Sequence, residues 1–370
     1  MTGPRYTDLA QSLPALVPFV GPEAQERQLN QAFRARLGAN ESVFGPSPLA
    51  IAAMAKAAAQ TWMYGDPENY DLRLALAAAE GVSPENIVIG EGIDGLLGYL
   101  ARLLIGPGDS VVTSAGAYPT FNYHVSGFGG QIHAVPYSGD HEDPGALLAK
   151  ALETNAKLIY LANPDNPMGS WQSRSTVEKM VRDIPEGCLL ILDEAYSQFL
   201  APEDVPAIDP NDPRVIRFRT FSKAYGMAGA RVGYGIAAPE LITAFNKVRN
   251  HFGMARISQA GALAALADQD YLAKIIAHVA QARTHIAEIA QTNALVALPS
   301  ATNFVTIDCG HDGDFARAVL ANLIAAGVFV RMPFVAPQDR CIRVSAGTNG
   351  DLDIFAKALP GALSKARADL

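Results

Sequence analysis

The chain has 370 residues, 49% of them hydrophobic and 18% charged, and its 29 Lys and Arg against 37 Asp and Glu leave a net charge of −8. That apolar content is too high for a disordered chain, and no uninterrupted apolar run is long enough to span a bilayer. An acidic balance without a Lys/Arg-rich tract argues against nucleic acid or an anionic membrane surface as partner, which leaves a small-molecule protein of about two domains.

The first 40 residues are rich in Pro and Gln with weak periodicity, and are expected to form an arm and a crossing segment rather than a domain of their own. Asp8 and its polar neighbours stand where a secretory signal needs a basic start and a continuous apolar core, so a cytoplasmic location is expected. An Ala-rich helix follows near Ile51–Ala59. From about residue 86, short apolar runs alternate with helical stretches. The runs are Ile87 to Ile89, Ser110 to Thr113, Gln131 to Val135, Lys157 to Leu161, Cys188 to Leu192, Val215 to Phe221 and Val232 to Ile236. Their length and β-branched content suit buried strands, and Leu96–Leu104 and Thr176–Arg182 have helical apolar spacing. This alternation predicts an α/β domain with a mostly parallel sheet between helices, its ligand at the carboxyl ends of the strands.

After about residue 268 the rhythm changes. A helix from Tyr271 to about Gln291 leads into strand-like runs at Ala294–Leu298 and Asn303–Asp308, a helix around Phe315–Ala326, further runs at Val328–Met332 and Cys341–Ser345, and a closing helix near Leu352–Leu363. That pattern predicts a smaller α+β domain over 269–370, with 41–268 as the large domain and 1–40 contributing to the small one. The three cysteines, Cys188, Cys309 and Cys341, lie far apart in apolar runs and the seven histidines are dispersed, so neither a disulfide framework nor a metal site is expected.

Directly after the first run of the large domain comes Gly90-Glu91-Gly92-Ile93-Asp94-Gly95, which matches the dinucleotide-binding pattern. The acidic ribose-binding residue that should end the next strand is missing, because Val111-Val112-Thr113-Ser114-Ala115-Gly116 closes on small neutral groups. What survives is physical: a Gly-rich turn opening a helix offers free N–H groups to an anion, which implies a phosphate-bearing cofactor.

Two further segments carry chemistry. In Cys188-Leu189-Leu190-Ile191-Leu192-Asp193-Glu194-Ala195-Tyr196 an apolar strand ends at a carboxylate that must find a cationic or hydrogen-bonding partner. In Thr220-Phe221-Ser222-Lys223-Ala224-Tyr225-Gly226-Met227-Ala228-Gly229-Ala230-Arg231 a lysine flanked by hydroxyls sits between a strand end and a Gly/Ala-rich turn, with an arginine eight residues on. Taken alone, that segment is equally a surface loop.

Together these segments resemble the fold-type I pyridoxal-phosphate aminotransferases, class I/II, and within them the histidinol-phosphate aminotransferase branch. The resemblance runs from Leu37 to Gly347 with the family's motifs in order. Asn40-Glu41-Ser42-Val43-Phe44-Gly45-Pro46-Ser47-Pro48 is similar to its N-terminal signature, Tyr64-Gly65-Asp66 to its Tyr-Pro-Asp segment, and Asn163-Pro164-Asp165-Asn166-Pro167-Met168-Gly169 to its Asn-Pro-x-Asn-Pro-x-Gly loop.

The resemblance implies roles. Lys223 is the amine that carries the cofactor aldehyde and later moves the substrate proton, and Asp193 pairs with the ring nitrogen. Asn166 and Tyr196 bond the ring oxygen O3′, and Tyr118 stacks on the ring, although as a bare sequence feature Tyr118 is equally a core aromatic. The phosphate falls to the turn Gly92-Ile93-Asp94 together with Thr220, Ser222 and Arg231. Tyr64 reaches the neighbouring subunit's phosphate, which implies a homodimer. Arg343 takes the substrate carboxylate, and Asn40, Phe19 and Arg331 fall on the substrate side. The implied reaction moves an amino group from a small-molecule donor, first of all L-histidinol phosphate, to a 2-oxo acid. A donor of aromatic or other amino-acid type, or a same-fold decarboxylase or lyase acting on a threonine-phosphate-like substrate, stays open.

Several positions depart from that branch. Phe19 stands where a tyrosine is usual, Asp94-Gly95 replaces Asp-Glu, Met168 replaces a common Thr, and the segment from His251 to Arg256 replaces one containing Asn. Arg256 and Arg331 are candidates for a cationic pocket, or simply surface residues.

Overall fold

The computed structural model describes residues 3–15 and 20–368. A short strand β1 (Ala35–Arg36) precedes those of the main sheet: β2 (Ile87–Gly90), β3 (Ser110–Ser114), β4 (Gln131–Val135), β5 (Leu158–Ala162), β6 (Leu189–Asp193), β7 (Val215–Thr220) and β8 (Gly233–Ile236). They form a seven-stranded sheet in the order β2-β8-β7-β6-β5-β3-β4. The pairs from β7 across to β4 are parallel, whereas β8 is antiparallel to both of its neighbours. So β2 runs with the majority, and every strand of this sheet except β8 ends at the same edge. This is the mostly parallel sheet that the sequence rhythm implied.

Strand alternation explains how both faces are covered. Leu158, Tyr160 and Ala162 of β5 and Leu189 and Ile191 of β6 pack on one face against the helix Gly92–Leu104. Ile159 and Leu161 of β5, with Leu190 and Leu192 of β6, pack on the other face against Pro144–Thr154 and Arg174–Arg182. Strands this deeply buried demand continuous apolar runs, and those runs are what the sequence displays.

The C-terminal part contains β9 (Val296–Ala297), β10 (Phe304–Asp308), β11 (Val328–Phe329) and β12 (Cys341–Ser345). The antiparallel order β12-β10-β9 and the parallel pair β1-β11 share one core with the helices Gln269–Thr292, Gly313–Ala325 and Asn349–Ala368. Two strands are shorter than expected. Ala294 is left-handed (φ 57°), which keeps the chain out of the sheet until Val296. Beyond Phe329 the chain leaves β1 and makes only an isolated antiparallel bridge, Arg331 with Arg343 of β12, where Pro333 has no N–H to add the next pair. Cys188, Cys309 and Cys341 are buried and free, and burial pushes each thiol up to about 12. Among the described residues no helix is long and apolar enough to cross a membrane.

Candidate active site

A cavity of about 310 Å³ opens at the edge where the parallel strands end. Strands β2, β3, β5, β6 and β7 deliver their next residues to it. Asp193 is the last residue of β6; Thr220 is the last of β7, with Ser222 and Lys223 just beyond; Asn166 lies in the loop after β5 and Tyr118 in the loop after β3. Ile93 and Asp94 arrive on the turn after β2, and Arg231 precedes β8, the strand that enters from this edge. All of these line the cavity.

One end of the cavity gathers hydrogen-bond donors. The helix Gly92–Leu104 begins without a side-chain cap, so its first N–H groups remain available. Gly92 has φ 77°, and a Cβ there would lie 2.2 Å from Arg231 Nη2, so only glycine lets the guanidinium rest on the turn. Arg231 is itself left-handed (φ 53°), a conformation that costs a non-glycine residue on the order of 1–3 kcal/mol. Its Nη1 donates to Ser222 Oγ at 3.2 Å, and Thr220 Oγ1 donates to the same hydroxyl at 2.9 Å. An uncapped helix start, two hydroxyls and a guanidinium make an anion cradle.

Asp193 and Lys223 line the same cavity. Asp193 Oδ2 accepts from the Tyr160 hydroxyl at 2.7 Å, and Oδ1 accepts from the Ala195 N–H at 2.9 Å. Burial raises this carboxyl to about 6, and those two hydrogen bonds hold it from going higher. The Lys223 amine donates to the main-chain carbonyl of Asn40 at 3.2 Å and lies 5.5 Å from the centre of the Tyr196 ring. Burial, followed by the nearby Arg343 and Arg231, lowers it to about 8. A buried amine with that pKa is available as a nucleophile and a base near neutral pH.

Arg343, on β12, reaches the cavity through Asn166, whose Oδ1 accepts from its Nη1, while Nη2 donates to the Gly38 carbonyl at 3.3 Å. Its guanidinium lies 5.1 Å from the centre of the Phe304 ring, and burial lowers it to about 10. Its Nε is buried with no partner among the described residues, a donor left for an anion. Arg331 pairs its backbone with that of Arg343, and its Nη2 donates to the Val20 carbonyl at 2.6 Å. Bridged residues send their side chains to the same face, so two guanidinium groups share this side.

The remaining expectations fall elsewhere. Asn40 is buried with its side chain committed: Nδ2 donates to the Tyr196 hydroxyl at 3.1 Å and Oδ1 accepts from the Ser345 hydroxyl at 3.0 Å. Its backbone carbonyl faces Lys223. Tyr64 lies outside the cavity of its own chain, 76% exposed and packed on Phe252, and its carbonyl accepts from Arg256 at 2.8 Å. Arg256 therefore does not line the cavity. Met168 is fully buried, so the Thr-to-Met departure faces the core. Phe19 lies outside the described residues. Tyr160 was missed by the motif reading, because in sequence it is simply an aromatic inside an apolar strand. The signal was its parity: it lies two residues before Ala162, the register partner of Asp193, and so on the same face.

The model of the family "Aminotransferase class I and II" matches residues 35–359. The chain belongs to that family. The histidinol-phosphate aminotransferase of Sinorhizobium meliloti, solved in complex with pyridoxal-5'-phosphate, superposes with a TM-score of 0.95 at 52% identity, covering 100% of this chain and 99% of that one. Histidinol-phosphate aminotransferases from Moorella thermoacetica (33% identical; 97% of this chain and 93% of that protein) and an Anaeromyxobacter species (36%; 86% and 88%) are also similar. Aspartate aminotransferase from Thermus thermophilus, at 23% identity and a TM-score of 0.79 over 97% of this chain and 100% of that one, shares the fold. For an aminotransferase of this family, the anion cradle fits a cofactor phosphate, and the acceptor on Asp193 fits a protonated ring nitrogen.

Proposed function

We propose that the chain is a pyridoxal-phosphate-dependent aminotransferase that takes an amino group from L-histidinol phosphate and passes it to a 2-oxo acid such as 2-oxoglutarate by a ping-pong route. The observation that carries this reading is the convergence of Lys223, Asp193 and the Gly92–Arg231 anion cradle in one cavity. The named relatives, at 52% and 33% identity, support the donor. When bound, pyridoxal phosphate supplies an aldehyde that captures amines and a ring that draws electrons from the substrate Cα.

The residues of this chain supply the rest. The turn 92–94, Thr220, Ser222 and Arg231 hold the phosphate, and Asp193 keeps the ring nitrogen protonated. Asn166 gives Oδ1 to Arg343 and keeps its amide donors for the ring oxygen. Tyr196, which accepts from Asn40, keeps its own proton for the same oxygen. Tyr118, whose hydroxyl is 3.4 Å from Asp94 Oδ2, offers its ring as a stacking face. Lys223 Nζ, resting on the Asn40 carbonyl, would be the base that takes the proton from the substrate Cα and holds it for return.

Histidinol phosphate carries its phosphate ester on the carbon that is a carboxyl group in an amino acid. Arg343 therefore meets either the carboxylate of the oxo acid or the phosphate of the donor, with Arg331 adding the second cation for the dianion. In this reading residues 41–268 hold the cofactor, and 269–370 with the first 40 residues hold the substrate anion. Tyr64, exposed on its own chain, completes the site of a second copy in a homodimer. A cytoplasmic location belongs to the same reading.

The test is a half-reaction screen of amino donors, with histidinol phosphate, phenylalanine, tyrosine and acidic amino acids, following conversion of bound cofactor to its amine form. Conversion by histidinol phosphate is expected. Activity confined to donors without the phosphate would reject the donor, and release of carbon dioxide without cofactor conversion would reject transamination.

A further inference from the structure

The carboxylate of Asp193 is held at both oxygens before any ligand arrives. The Ala195 N–H belongs to the residue two positions on and fixes Oδ1 locally, whereas the Tyr160 hydroxyl comes from the neighbouring strand and fixes Oδ2. Tyr160 is fully buried, and its ring is stacked on Phe121 with centroids 4.9 Å apart and planes 14° apart, so the hydroxyl has little freedom of direction. A phenol beside a carboxylate can only donate, and a donor favours the ionised carboxylate.

We propose that Tyr160 is a positioning residue for the cofactor, acting through Asp193: its hydroxyl fixes the rotation of the carboxylate and keeps it ionised, so that a free acceptor edge meets the ring nitrogen. This rests on the pyridoxal-phosphate reading above. The titratable groups that face Asp193 are Tyr160 from β5, Asp94 from the turn after β2, Lys223 from the loop after β7, and Tyr118 and Tyr196. Lys223 governs the alkaline side of cofactor binding and Asp193 the acid side, because a protonated Asp193 must lose its proton to accept a cationic ring.

The experiment measures the affinity of the stripped full-length protein for pyridoxal 5'-phosphate against pH, by absorbance, in the parent and in Tyr160→Phe. In the parent, affinity should fall as pH drops through about 6. In Tyr160→Phe that acid edge should move to higher pH, and affinity at neutral pH should drop roughly tenfold or more, the scale of one lost charge-assisted hydrogen bond. In an Asp193→Asn background the same substitution should change affinity by less than about twofold, as a residue acting through Asp193 requires. A fluorinated tyrosine at position 160, a stronger donor of nearly the same shape, should move the edge to lower pH, which keeps the test valid if Tyr160→Phe folds poorly. An unmoved acid edge in these variants, or an equal loss of affinity in the Asp193→Asn background, overturns the proposal. Failure of the parent protein to bind pyridoxal phosphate at all would instead overturn the reading on which it rests.

Discussion

The Lys223 amine donates to the main-chain carbonyl of Asn40 at 3.2 Å, and Asn40 holds that carbonyl in place from a left-handed backbone (φ 55°). The Asn303 side-chain amide donates to the same oxygen at 3.0 Å, so the acceptor is shared and fixed. The amine therefore has a defined resting place in a buried site that penalises its charge.

This gives the first prediction. The lysine is lowered from 10.5 to about 8, so its neutral, nucleophilic form grows in as pH rises through about 8 rather than above 10. Capture of pyridoxal phosphate by the stripped protein, followed by absorbance, should accelerate across that interval and level off above it. Lys223→Ala should abolish both the yellow colour and turnover. A coloured, active Lys223→Ala protein would remove the central residue from the mechanism.

Arg343 is the next test. Its planar group spans Asn166 and the Gly38 carbonyl while lying over Phe304, and a lysine has neither the fork nor the plane to reproduce this. Arg343→Lys should reduce kcat/KM for both the donor and the oxo acid by about 10- to 100-fold, the range for a buried charge-assisted hydrogen bond, while cofactor binding stays near normal. A parallel loss of cofactor would show that the substitution had disturbed the Asn166 loop instead.

Arg331 separates the two anions. A phosphate dianion gains more from a second guanidinium than a carboxylate does, so Arg331→Ala should raise KM for histidinol phosphate by roughly tenfold or more and affect 2-oxoglutarate less. Equal effects on both, measured as KM in each half-reaction, would mean that Arg331 serves only its bond to the Val20 carbonyl.

Much of this site was legible because the fold turns strand ends into site residues. Asp193, Thr220 and the Gly92 turn are found by asking where an apolar run stops, since an α/β sheet presents those positions at one edge. The reversed strand β8 was not legible, because buried parallel and antiparallel strands carry the same apolar signature. The partners of Asn40, whose side chain spans Tyr196 and Ser345, were not legible either, because they are contacts across 156 and 305 residues that no local pattern encodes. Tyr160 hid for the related reason that an aromatic in a buried strand reads as core until the register with β6 is known.

Tyr64 tests the assembly. It is 76% exposed, packed on the half-exposed Phe252 and absent from the cavity of its own chain, so this aromatic pair is open to another surface. If it completes the partner's site, Tyr64→Phe homodimers and Lys223→Ala homodimers should both be impaired, yet mixing them should restore activity. In a hybrid, the intact Lys223 of one protomer is served by the intact Tyr64 of the other. Absence of recovery after verified subunit exchange would confine Tyr64 to its own chain.

The residue beside Asp193 gives a stability prediction. Strand alternation sends Glu194 to the opposite side, where it is 2% exposed and accepts from Arg217 at 3.0 Å and Arg219 at 2.7 Å, while Arg219 also reaches Glu80 at 2.6 Å. Burial alone would raise this carboxyl, but the two guanidinium groups outweigh it and hold it below its ordinary value of 4.5. A depressed carboxylate contributes stability that is fully present above the unfolded value and is lost as pH falls through the folded one. Removing it leaves Arg217 without its carboxylate in a largely buried site, while Arg219 keeps only Glu80. Glu194→Ala should therefore cost about 3–5 kcal/mol at neutral pH, and Glu194→Gln less, because the amide oxygen still accepts. The carboxylate's share of acid destabilisation below about 4.5 should vanish in both variants, flattening their denaturation curves against pH relative to the parent. Equal acid slopes in denaturant titrations of parent and variants would show that the network's charge is not what holds β6 to β7.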